Sequence, residues 1–229
     1  MKSLSRRLAL VAVAVVASAT LAFAQAPSGL VNKLELQKLI AAGTPESNAT
    51  LAGHFTALAD SYTADAARHK NMAQAYRASS PRSPAIGAAA HCDRLAKLAT
   101  ESAAAAREMA TYHERLAGGG SAAAPKDAAK FHAGEGAPAP NAVDMHHLAM
   151  TARTPADHRS LEEYFTTLAK KSTADAESHA LMAQAYRAGS RKGLNDPAAH
   201  CDRLVKLSRD AAKEATEAAS LHRQLANIG

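Results

Sequence analysis

Leu51, Phe55, Leu58, Tyr62, Asp65, His69, Met72 and Tyr76 follow one another at spacings of 4-3-4-3-4-3-4. His91, Leu95, Leu98, Ser102, Ala105, Met109, Tyr112 and Leu116 repeat that spacing. Alternating steps of four and three keep residues on one face of an α-helix, as in the seam of a helical bundle. The pattern predicts a long helix over residues 45–79, a turn over 80–87 rich in Pro and Ser, and a returning helix over 88–117. A short amphipathic helix over 30–42 precedes them and stops at Gly43. Thr44 then offers a side-chain oxygen as N-cap, and Pro45 supplies the fixed φ of a first helical position.

The same elements return. Residues 63–78 (TADAARHKNMAQAYRA) and 173–188 (TADAESHALMAQAYRA) agree at 12 of 16 positions, and 89–98 and 198–207 at 9 of 10. The second copy reads as a short helix over 143–153, a long helix over 155–189, a turn over 190–197 and a second helix over 198–227. Thr154 caps it, with Asp157 three residues on in a variant of the capping box. No stretch alternates in the manner of a β-strand, so the chain reads as all-α. One hairpin cannot hide both sides of its seam. Two can, which predicts a pseudo-twofold four-helix bundle roughly 45 Å long. Residues 1–24 read as a signal peptide, 25–119 as the first helical repeat, 120–143 as a Pro/Gly/Ala-rich linker and 144–229 as the second repeat.

Lys2, Arg6 and Arg7 precede an apolar run, and Ala22-Phe23-Ala24 forms a small-x-small cleavage site. Export to the periplasm or beyond is therefore expected, with no stable membrane insertion after cleavage. Without its leader the chain carries 24 basic and 21 acidic residues. So small an excess gives no nucleic-acid footprint. In an oxidising compartment the single cysteine of each repeat suggests a disulfide between Cys92 and Cys201.

The seam carries groups that an ordinary apolar seam excludes. Asp65, His69, Tyr76 and His91 recur as Asp175, His179, Tyr186 and His200, and burying them without partners costs a few kcal/mol each. Asp65 and His69 lie one turn apart, so a carboxylate–imidazole hydrogen bond is expected. Tyr76 is expected to meet His91 across its own turn. His113 and His222 share a flank column with Cys92 and Cys201. His54, His146, His147 and His158 lack twins, as does His132 in the linker, and all five read as surface histidines. Met109 and Tyr112 read as core.

Three readings of this stripe follow. It is a structural polar network, or a soft-metal site, or part of a module that holds a peptide or partner protein in a chaperone-like manner. The metal site would use His69, Met72, His91 and Cys92, with His179, Met182, His200 and Cys201 in the second copy. Such ligands suit copper(I) and, less selectively, zinc(II). Asp65 and Asp175 would then accept from the histidines and fix their tautomers. Catalysis is not expected: His91 and Cys92 are adjacent on a helix and point about 100° apart, and no oxyanion-type loop or ExxH motif accompanies them.

TPADHRSLEEYF at 154–165, the HxxMAQAYR motif and AHCDRL together resemble a group of uncharacterised exported helical proteins of bacteria. The resemblance spans both repeats. It implies a helical fold and an exported location and transfers no activity.

Overall fold

The computed structural model describes residues 30–79, 84–118, 142–189 and 196–228. The expected signal peptide and residues 119–141 of the linker region lie outside the described residues. All described secondary structure is helical: α1 (Lys33–Ala42), α2 (Pro45–Ala78), a 3-10 turn (Pro84–Gly87), α3 (Ala88–Leu116), α4 (Ala142–Thr151), α5 (Pro155–Ala188) and α6 (Pro197–Ile228).

The boundaries follow local chemistry. Asn32 caps α1 by accepting from the Glu35 amide at 2.9 Å, and Gly43 ends it at φ 60°, a left-handed conformation that glycine adopts without strain. Thr44 accepts from the Ser47 amide at 3.2 Å, with Pro45 opening α2. At α5 the capping box is complete. Thr154 accepts from the Asp157 amide, and the Asp157 carboxylate accepts from the Thr154 amide. The two hairpins close alike, with Arg77 paired to Asp93 and Arg187 to Asp202. These pairs are half-exposed, so solvent screening leaves each a minor contribution to stability.

α2 pairs with α3 and α5 with α6, and the hairpins meet along α3 and α6. Side-chain size explains this arrangement. Ala88, Ala89, Ala103, Ala105 and Ala106 of α3 and Ala215, Ala218 and Ala219 of α6 are all buried. Small residues at a helix contact allow the axes to come as close as about 8 Å. α2 and α5 carry Phe, Tyr, His and Met on their inner faces and stay apart. The short helices close the gap crosswise: α1 packs on α5 and α2, α4 on α2 and α5.

The hairpins run antiparallel. His91 near the start of α3 bonds Glu214 late in α6, and His200 near the start of α6 meets Glu108 late in α3. The turn end of each hairpin therefore lies beside the open end of the other. One apolar cluster joins Met72, Tyr76, Cys92 and Leu95 to Leu161, Tyr164, Phe165 and Leu225. A second joins Leu36, Leu51, Phe55 and Met109 to Met182 and Cys201.

Candidate functional site

Tyr76 ends the long repeated motif on α2, and its side chain is fully buried. Its partner is not His91, as the hairpin alone suggests, but His222 on α6: the Tyr76 hydroxyl lies 2.9 Å from Nε2 of His222. Its twin behaves alike. The Tyr186 hydroxyl lies 2.7 Å from Nε2 of His113 on α3. Each tyrosine thus crosses to a histidine of the other hairpin. Antiparallel docking brings the last turns of α6 and α3 beside the two turns, and so displaces His91 and His200 from the tyrosines.

The far nitrogen of each histidine is held as well. His113 Nδ1 lies 2.8 Å from Asn48 Oδ1, which accepts, so Nε2 is the acceptor for Tyr186. His222 Nδ1 lies 3.3 Å from Nδ1 of His158. Asn48 and His158 occupy equivalent positions on α2 and α5. Phe55 stacks on His113 and Phe165 on His222, both at centroid distances of 5.7 Å. Burial pushes His113 down to about 4 and His222 down to about 3, with neighbouring histidines adding to both. Both imidazoles are neutral at ordinary pH.

Nearer the middle of the bundle the polar residues are less completely paired. His179 Nε2 lies 3.0 Å from the Tyr62 hydroxyl, another bond between hairpins. Asp65 pairs with Arg68 rather than with His69, and Lys171 of α5 approaches it at 4.0 Å. Nδ1 of His69 and Nδ1 of His179 are buried without a hydrogen-bond partner from the protein, while the Tyr164 hydroxyl has the Arg68 guanidinium beside it. Burial lowers both His69 and His179 to about 4.

The eight residues read as soft-metal ligands fall into separate surroundings. His69, Met72 and Cys92 are buried, with Met72 and Cys92 in one apolar cluster. His91 faces the α3–α6 contact, where Nδ1 lies 2.9 Å from Glu214. In the second copy Met182 and Cys201 share the other cluster, while His200 lies 3.0 Å from Glu108. The cause is the angular offset of adjacent helical positions.

The disulfide is corrected. Cys92 and Cys201 are both free and fully buried. His91 is level with Glu214, which places Cys201 roughly 20 Å further along the bundle. That span is far beyond the reach of one S–S bond. Burial raises both thiols to about 12, so they are protonated and poor nucleophiles.

Two of the presumed surface histidines are also corrected. His54 is buried and accepts from the Val31 amide at 3.0 Å, and burial lowers it to about 3. His158 is buried against His222. Both lie on inner faces that the short helices and the opposite hairpin cover. The sequence signal was present, since His54 and Asn48 each sit three or four residues from a seam position. Only the unlike residue in the other copy hid it.

No family model, curated protein sequence or solved structure matches the chain.

Proposed function

We propose that the protein is an exported, non-catalytic helical bundle, and that its duplicated polar residues serve to dock two hairpins in a single antiparallel register. The crossing of Tyr76 to His222 and Tyr186 to His113 carries this reading. The Tyr76–His222 bond is buried and the Tyr186–His113 bond partly so, each histidine is buried and neutral, and a slip of one helical turn would strand both partners. Leaving a buried acceptor unpaired costs about 1–3 kcal/mol, so two such bonds penalise wrong registers strongly while contributing modestly to the right one. Buried polar groups are best attested in this role. An open groove of about 600 Å³ on the outer side of α5 and α6, lined by Thr166, Ala169, Thr173 and Ala219, includes none of the crossing residues. The leader-like first residues support export.

The test is the pair Tyr76→Phe and Tyr186→Phe, which keeps the rings and removes the hydroxyls. The double variant should unfold at a clearly lower denaturant concentration than the parent, with broadened amide resonances along α3 and α6. Unchanged stability and unchanged spectra would sink the reading.

A further inference from the structure

The contact between α3 and α6 carries one set of side chains that register alone does not require. His91 Nδ1 lies 2.9 Å from Glu214 Oε1 and 4.0 Å from Glu217 Oε2, and all three ligand atoms lie within 4.8 Å of one another. Glu214 and Glu217 stand one turn apart on α6, and His91 faces them from α3. A tetrahedral zinc ion with bonds of about 2.0–2.2 Å separates its ligand atoms by about 3.4 Å. The two distances from His91 bracket that value, so small side-chain rotations suffice.

The charges point the same way. Two carboxylates face Arg94, which bonds Glu214 and also places Nη2 at 2.9 Å from His91 Nδ1. Lys213 reaches Glu217 only at 4.0 Å. If Nδ1 accepts from Arg94, it turns a lone pair toward the Glu214 oxygen. If it donates to Glu214, it turns a proton toward Arg94. One nitrogen cannot serve both neighbours, whereas a cation in place of the Arg94 guanidinium satisfies the nitrogen and both carboxylates.

The other copy is an internal control. There Ala105 replaces Glu214, and His200 and Arg203 share the single carboxylate Glu108, at 3.0 Å and 3.7 Å. That set makes an ordinary ion pair. The added carboxylate distinguishes the His91 position.

We propose that His91, Glu214 and Glu217 bind a divalent cation of borderline softness, zinc(II) above all, which clasps the two hairpins across α3 and α6. It is a nitrogen–oxygen site, unlike the His/Met/Cys set considered from sequence, and it leaves a fourth position for water. Arg94 is its competitor. That side chain is 50% exposed and has solvent to move into.

The experiment is calorimetric titration of zinc chloride into full-length protein dialysed against chelator and then into buffer. His91→Gln and Glu217→Gln should each lose one zinc equivalent or weaken it at least about tenfold. Arg94→Ala should bind that equivalent more tightly, and His200→Gln should leave it unchanged. Glu217 is 47% exposed and its replacement spares the Arg94–Glu214 pair, so its fold, checked by circular dichroism, should persist. Zinc binding that survives both His91→Gln and Glu217→Gln, as ligation by the exposed His146 and His147 would, overturns the proposal. So does the absence of any binding at millimolar zinc, or weaker binding in Arg94→Ala.

Discussion

The Tyr76 hydroxyl and His222 Nε2 share a hydrogen bond of 2.9 Å across 146 residues of chain. The other crossing bond, between Tyr186 and His113, differs behind the histidine. There His113 rests on Asn48, whereas His222 rests on His158. An amide oxygen is an unambiguous acceptor, while two imidazoles must divide one proton between facing nitrogens.

His158→Asn should therefore be tolerated. It copies into the second repeat an arrangement the first already uses. Urea denaturation should show a change within about 1 kcal/mol of the parent. A loss of several kcal/mol would mean that the two ends are not equivalent.

Acid should weaken the bundle well before its carboxylates are fully protonated. His54, His69, His113, His179 and His222 all titrate in the folded state at about 3 to 4, below their ordinary 6.5, with burial as the main cause. A depressed histidine binds its proton more readily when unfolded. Its contribution is present above about pH 6.5 and is lost as pH falls toward the folded value. Each group adds up to about 1.4 kcal/mol per pH unit inside that window. Denaturation midpoints from pH 7.5 to 4.5 should fall with increasing slope, and a flat profile between pH 6.5 and 5 would contradict the burial of these rings.

The cysteines should behave as two protected thiols. Ellman's reagent should leave native protein unreacted over minutes and titrate two thiols after denaturation. Reductant should not change the melting temperature. An intramolecular disulfide in protein recovered from an oxidising compartment would require a different packing of α3 on α6.

Ala218→Leu should be damaging despite its greater apolarity. Ala218 is fully buried, in the seam where alanines let α3 and α6 approach. Overpacking such a site typically costs about 1–3 kcal/mol. Thermal melts of Ala218→Leu and of the exposed mid-helix control Ala67→Leu would separate close packing from helix propensity.

Much of this architecture is legible in the residues themselves. The 4-3 spacing marks the inner faces of α2 and α3, Thr44-Pro45 and Thr154-Pro155 mark the starts of α2 and α5, and Gly43 marks the stop of α1. The repeated segments indicate that the second half folds like the first. Met109 is buried as its seam position implies, while Tyr112 is only half-buried beside His113.

Partner choice was not legible in this way. Periodicity fixes which face of a helix turns inward, because that depends on backbone geometry within one element. It does not fix what that face meets. Tyr76 finds His222 rather than His91, Asp65 finds Arg68 rather than His69, and Cys92 and Cys201 lie at opposite ends. All three outcomes depend on the antiparallel docking of the hairpins or on the rotamers it leaves open. The alanine seam of α3 and α6 sets that docking through close van der Waals approach, a property of two surfaces together that neither strand of sequence carries alone.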